Sequence, residues 1–340
     1  MEIQAAFFLN PMFFRFCASH CTVKFLHKLL NHHGLVLPVP LRNNETEIGE
    51  IAMEQMELKK LQILSAKIRI DILEMLVHCG QGHLGGAMSL VETMAVLYGK
   101  QLHVDPKNPQ LEDRDMVVLS KGHAGPVWYA TLAECGYFPK EWLFTLNQGG
   151  TKLPSHPDRT KTPGVDMTTG SLGQGTSSAA GIATGQRMKG SKRYTYLMVG
   201  DGELNEGQCW EAFQYIAANR LNNCIVIIDD NKRQLDGYTK DVLNPFSIPD
   251  KMKAFGFHTE VVKGQDIEAI DAAIDRAKAV KDQAVCIVLD SIKGAGVKYF
   301  EDMVSNHSVK FNNDEVIGEA KKAVENLQAW IEKEEPSCLS

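Results

Sequence analysis

Asp201 lies within Gly200-Asp201-Gly202, and Asn231 closes Asp229-Asp230-Asn231. Each follows a short apolar run, residues 196–199 before the first and 224–228 before the second. The stretch 206–218 between them reads as a helix. That is the layout of a strand, a crossover helix and a parallel strand, a unit of about thirty residues. In such sheets ligands bind outside the carboxyl ends of the strands. The two oxygen-bearing side chains are therefore expected side by side, placed to hold a divalent cation and, through it, a diphosphate. Magnesium suits such a pair because it leans on one or two protein oxygens plus substrate phosphates. An Asp-Gly pair alone commonly just turns the chain; the second donor on the neighbouring strand is what points to a site.

Four histidines occupy loops of matching character. His83 lies in Gly80-Gln81-Gly82-His83-Leu84-Gly85, and His123 follows the apolar run 116–119 within Ser120-Lys121-Gly122-His123-Ala124-Gly125. His156 sits in Leu153-Pro154-Ser155-His156-Pro157, and His307 comes after Lys293-Gly294-Ala295-Gly296 and Ser305-Asn306. Two of the four follow expected strands, which points to a shared site at the ligand-binding rim. His78, His103 and His258 lack comparable loops and read as structural. A second Gly-rich loop, Thr168-Thr169-Gly170-Ser171-Leu172-Gly173-Gln174-Gly175, feeds a helix whose first amides favour an anionic or polar ligand. Close packing of a small-residue helix explains the same glycines equally well.

The elements that must position these residues are regular from Met53 onward. Leu58, Leu61, Leu64, Ile68, Ile72 and Leu76 recur at three or four residues, the pattern of an amphipathic helix ending near Cys79-Gly80. Ser89 is placed to cap a second helix running through Tyr98. Further helices are expected over 124–134, 177–188, 267–279 and 314–334, and further strands over 116–119, 259–262 and 284–289. Strands alternating with helices predict an α/β fold of three layers, a mostly parallel sheet covered on both faces. Residues 1–52 are unlike the rest, rich in Phe and His with little periodicity, and 37–40 with 43–47 read as linker. They are taken as an accessory or poorly ordered segment, and 53–340 as the domain.

Bulk properties exclude several classes. A net charge of -6, with no Lys/Arg cluster, argues against nucleic acid as partner. No run approaches the apolar length that crosses a bilayer, and the start lacks the basic region of a secretory signal. Eight cysteines are scattered with no Cys-x-x-Cys, so a reducing, cytoplasmic compartment is the simpler expectation. Cys17, His20 and Cys21 have no second pair of zinc-like spacing. The glycines of residues 80–85 spell a dinucleotide fingerprint but follow a long helix where that motif requires a strand, which argues against a nicotinamide-dependent dehydrogenase. No P-loop sequence occurs.

From about Met53 the chain resembles the amino-terminal, diphosphate-binding part of transketolase and, in size, the separate amino-terminal subunit of split transketolases. The stretches that carry the resemblance are 80–86, 120–125, 155–157, 168–175, 200–207 with 229–237, and 293–307. Gly-Asp-Gly followed at this distance by Asn is the thiamine diphosphate signature. The resemblance implies the thiamine diphosphate-binding fold, with thiamine diphosphate and Mg2+ as cofactors. It implies transfer of a two-carbon ketol unit from a ketose phosphate to an aldose phosphate, as in the pentose phosphate pathway. Asp201 and Asn231 would ligate magnesium by side chain and Arg233 by its backbone carbonyl, with Gly200 and Gly202 lining the cofactor. His123 would touch the diphosphate; His83 and His307 would do so too and face the reacting carbons. His156 would hydrogen-bond the donor ketose. The backbone of Gly170, Ser171 and Leu172 would receive the aminopyrimidine end, and Glu206 would lie at the subunit contact linking two active sites. Where the family usually has Trp-His-Gly or similar, this chain reads Asn306-His307-Ser308. The glutamate that activates the cofactor belongs to the family's pyrimidine-binding domain, for which the residues after 289 are too few. A carboxy-terminal transketolase subunit is thus the expected partner, in an α2β2 assembly. The rival readings are a subunit of another thiamine diphosphate enzyme such as a 2-oxo acid dehydrogenase α chain, a transketolase for modified or sulfonated ketoses, and a non-catalytic cofactor-binding or regulatory subunit.

Overall fold

The computed structural model describes residues 44–338. Most of the expected accessory segment, with Cys17, His20 and Cys21, lies outside the described residues. Five strands make the central sheet: β1 (Met116–Leu119), β2 (Thr195–Gly200), β3 (Cys224–Asp230), β4 (Phe257–Lys263) and β5 (Ala284–Asp290). Their order is β1-β2-β3-β5-β4 and every pairing is parallel. The strands β2, β3 and β5 are buried along almost their whole length, which is why they read in the sequence as unbroken apolar runs. The edge strand β4 is part exposed.

Side chains alternate between the two faces of the sheet, and the core divides accordingly. Val117, Leu119, Tyr196, Met198, Ile225, Ile227, Val285 and Ile287 pack on one face. They meet α1 (Asn44–Cys79), α2 (Val91–Val96), α3 (Gly125–Glu134) and α7 (Ile267–Ala279). Val118, Leu197, Val199, Val226, Ile228, Cys286 and Val288 pack on the other, against α4 (Gln174–Met188), α5 (Gly207–Ala218) and α6 (Ile248–Ala254). The result is the three-layer arrangement expected. The long last helix, α8 (Asp314–Glu334), sets Ile331 against Ile63, Ala66 and Ile70 of α1. Among the described residues no helix is long and apolar enough to cross a membrane.

Local sequence explains the element ends. Asp266 caps α7 by accepting from Ala269 N at 2.9 Å, and Ile267, Ile270, Ala273, Ile274 and Ala277 form its buried stripe. Asn313 caps α8 through Val316 N at 2.9 Å. Three expectations need correction. The helix expected from Met53 begins at Asn44, so residues 44–47 are helical rather than linker. The helix expected from Ser177 begins at Gln174. Ser89 caps no helix start: α2 starts at Val91 without a side-chain cap, and the serine hydroxyl is drawn instead to Asp229, 140 residues along the chain.

Candidate active site

Because β2 and β3 pair in parallel with Gly200 opposite Asp229, Asp201 and Asn231 emerge from adjacent strands at the carboxyl rim. Both are buried, Asp201 at 2% exposure and Asn231 at 6%. Oδ1 of Asp201 accepts from Gly202 N at 2.8 Å, while its Oδ2 is buried without a protein partner. Burial, with the charges of Asp229 and Asp230, pushes the Asp201 carboxyl up to about 7. A buried carboxylate oxygen left unpaired is costly, and a hard cation is the group that would satisfy it. Asn231 donates through Nδ2 to Asp229 Oδ2 at 2.8 Å and accepts at Oδ1 from Arg233 N at 3.2 Å. The Arg233 carbonyl accepts from Lys293 Nζ at 3.0 Å, which leaves one of its two lone pairs.

The loops beyond the other strands close around this pair. A cavity of about 160 Å³ is lined by Asp201, Asn231, Arg233, Gly200, Gly202, Leu172, His123 and His307, with Lys121 and Lys293 at its wall. The two lysines give it cationic character suited to a diphosphate. Glycines supply the space. A Cβ on Gly86 would lie 3.3 Å from His123 Nε2, and one on Gly202 would lie 2.8 Å from Gln234 Cβ. Gly122 lets the His123 loop touch the second Gly-rich loop, since a Cβ there would meet Gly170 N at 2.7 Å.

The four histidines from four distant loops form one cluster. Ring centroids of His83 lie 5.5 Å from His123, 5.7 Å from His156 and 5.3 Å from His307, and His123 lies 4.7 Å from His307. A short antiparallel pairing of Gln81–Gly82 with Val309–Lys310 ties the His83 loop to the His307 loop. All four rings are held below the usual imidazole range. Burial does most of this, aided at His83 by His156 and Lys293, and at His123 by His307 and Lys121. At His307 burial, Lys293 and His83 bring the value to about 3. Nδ1 of His307 lies 3.3 Å from Lys293 Nζ. An ammonium only donates, so Nδ1 is the acceptor and the ring proton sits on Nε2. At neutral pH the cluster is therefore a set of neutral imidazoles, able to accept and return protons.

Not every expected site residue lines the cavity. His83 and His156 join through the histidine cluster, and Gly170 sits against His156, whose Cβ would be 3.3 Å from a Cβ at Gly170. Ser171 is exposed, as is Glu206, which precedes α5 on the outer surface. Four buried residues escaped the sequence reading. Glu203 accepts from Gly173 N at 2.8 Å, from Gly200 N at 3.1 Å and from the Ser120 hydroxyl, bracing three loops at once. Lys121 donates to Gly86 O at 2.8 Å and to Asp229. Lys293 bridges Arg233 and His307, and Asp229 collects donors from several loops. Lys121 follows a strand just as His123 does, so its place at the rim was the signal available.

Residues 61–328 match the family model described as transketolase, thiamine diphosphate binding domain. The chain is 44% identical over 255 residues to a 6-deoxy-6-sulfo-D-fructose transketolase subunit from a Clostridium species, covering 75% of this chain and 92% of that protein. It is 39% identical over 237 residues to one of the apulose-4-phosphate transketolase subunits of Actinobacillus succinogenes, covering 69% of this chain and 85% of the relative. Among solved structures it is similar to the transketolase of Leishmania mexicana, with a TM-score of 0.71 and 28% identity over 81% of this chain. The chain spans 46% of that enzyme's length.

Proposed function

This chain belongs to the transketolase family and carries its thiamine diphosphate-binding domain, and on that premise we propose that it is the diphosphate-binding subunit of a two-chain, Mg2+-dependent transketolase. The reaction is transfer of a two-carbon ketol unit from a ketose phosphate to an aldose phosphate. The observation that carries this reading is the unpaired, buried Oδ2 of Asp201 beside Asn231 on the next strand.

Mg2+ would be held by the side chains of Asp201 and Asn231 and the Arg233 carbonyl. The diphosphate would lie against His123, with Lys121 and Lys293 supplying positive charge at the wall. The Gly170–Leu172 loop would take the aminopyrimidine end. When bound, the cofactor supplies the electron sink for carbon–carbon cleavage. This chain's residues orient and handle protons: His83, His156 and His307 face the substrate side as neutral bases, and His307, with its proton on Nε2, can donate to a substrate oxygen. Exclusion of water falls to the loops that Glu203 braces.

Two observations support dependence on a partner. The relatives of similar length are named as transketolase subunits. The cavity, about 160 Å³, is smaller than the roughly 300 Å³ at which ligand pockets begin, which supports a reading in which this chain takes the diphosphate end and a carboxy-terminal subunit completes the site, with Glu206 at the contact in an α2β2 assembly. The name of the Clostridium relative, a 6-deoxy-6-sulfo-D-fructose transketolase subunit, favours as a second reading of the substrate a ketose modified at carbon 6, remote from the transferred unit. The test is binding of thiamine diphosphate to the chain co-purified with a carboxy-terminal transketolase subunit from the same organism, by calorimetry with and without Mg2+. Saturable, metal-dependent binding that Asp201→Ala removes is expected. Equal binding by the variant would contradict the metal assignment.

A further inference from the structure

Asp229, at the end of β3, is completely buried and does not line the cavity. Its two oxygens take four hydrogen bonds from four separate segments. Oδ2 accepts from the Ser89 hydroxyl at 2.6 Å, from Asn231 Nδ2 at 2.8 Å and from the Lys121 ammonium; Oδ1 accepts from the Ser291 hydroxyl. We infer that Asp229 is a positioning residue for the cation site: it turns the amide of Asn231 so that its NH2 group faces inward and its carbonyl oxygen faces the cation.

The chemistry of the neighbours fixes that orientation twice. An ionised carboxylate only accepts, so the Asn231 atom beside Asp229 must be the NH2 group. On the other side the Arg233 N–H only donates, so the atom facing it must be Oδ1. The contact to Arg233 N is long, at 3.2 Å, and Oδ1 keeps a lone pair for a ligand. Reversing the amide would set NH2 against N–H and oxygen against carboxylate. Asp201 shows the opposite condition, with one oxygen unpaired. Asp230 pairs outward with Lys232. The three carboxylates at this rim thus divide the work: Asp201 offers an oxygen, Asp229 orients the second donor, and Asp230 faces away.

Stability alone does not account for Asp229. A fully buried Lys–Asp pair is often no more stabilising than apolar side chains of the same volume, yet this one sits with three further donors beside a ligand pair. Partners of this kind behind a ligand change metal affinity by about 10- to 100-fold when removed.

The inference rests on reading Asp201 and Asn231 as cation ligands, and the experiment separates the two. Mn2+ affinity is measured by electron paramagnetic resonance in the presence of thiamine diphosphate, on the full chain with its partner subunit. Asp229→Asn is expected to weaken Mn2+ binding at least tenfold, and to add less than twofold in an Asn231→Ala background. That non-additivity is the mark of action through Asn231; a purely structural role would lower affinity in both backgrounds. Affinity within twofold of wild type, or an additive loss, would overturn the inference. Should Asp229→Asn not fold, Ser89→Ala decides: a two- to fivefold weakening supports it and unchanged affinity overturns it. Absence of metal-dependent binding in the wild type would sink the underlying reading instead.

Discussion

Replacing Asp201 by Asn should stabilise the cofactor-free chain while removing its ability to bind the metal. Burial and the neighbouring Asp229 and Asp230 push this carboxyl from its ordinary 3.8 up to about 7. Roughly three units at about 1.4 kcal/mol each give a ceiling of ~4 kcal/mol for the penalty of holding the charge in the fold. The Asn side chain keeps an acceptor for Gly202 N but introduces an NH2 group where Oδ2 has no partner, and an unsatisfied amide costs about 1–3 kcal/mol. The net gain at pH 8 is then on the order of 1–3 kcal/mol, or a few degrees in Tm for a domain of this size. The sign with pH follows from linkage. The native state binds this proton more tightly than the unfolded chain, so between about pH 4 and pH 7 wild-type stability falls as pH rises, and above 7 the penalty is complete. Thermal unfolding by circular dichroism, with metal and cofactor removed, should show the variant's advantage at pH 8 shrinking as pH is lowered toward 4. A variant that is less stable than wild type at pH 8, or a difference independent of pH, would refute the reasoning.

Other perturbations test the scaffold around the site. Gly122→Ala places a Cβ 2.7 Å from Gly170 N, a backbone contact that cannot give cheaply; a loss of about 1–3 kcal/mol is expected, with weaker thiamine diphosphate binding by calorimetry. Glu203→Gln leaves one or more of Gly173 N, Gly200 N and Ser120 poorly paired, and chemical denaturation should report a loss of about 1.5–3 kcal/mol. Lys293→Met removes the cation that, after burial, most depresses His307 from its ordinary value to about 3, so NMR titration should find the imidazole higher by on the order of one unit. An unmoved His307 would mean that the Lys293–His307 contact is absent in solution.

The pairing of the opening residues was legible because both strands are buried on each face. Residues 196–199 and 224–228 lie inside β2 and β3, with ends within two residues, and the parallel register follows from the helix between them. The histidine loops were legible one at a time from glycine and position, although their convergence needed the fold. What the sequence hid is long-range polar pairing. Ser89 has the local look of a helix cap, yet its hydroxyl answers to Asp229. Glu203 reads as one more acid after Gly202, and only its bonds to Ser120, Gly173 N and Gly200 N in the fold show it to be buried. Lys121 and Lys293 are buried cations, and no local pattern separates a buried lysine from a solvated one. The edge strand extends beyond the expected 259–262 to Phe257–Lys263, because its exposed residues dilute the apolar signal. Helix α6 went unread although Ser247 caps it and Pro249 occupies its first turn, a start signal of the usual kind.

The most direct measurement is a two-carbon transfer assay with thiamine diphosphate and Mg2+, run on the isolated chain, on a carboxy-terminal transketolase subunit from the same organism, and on the co-purified pair. Unmodified ketose phosphates and ketoses modified away from the carbonyl are supplied as donors. Activity is expected from the pair alone, abolished by Asp201→Ala. Full activity from the isolated chain would contradict the half-site reading, and a pair that binds the cofactor yet transfers no ketol unit from any donor would contradict the proposed enzyme.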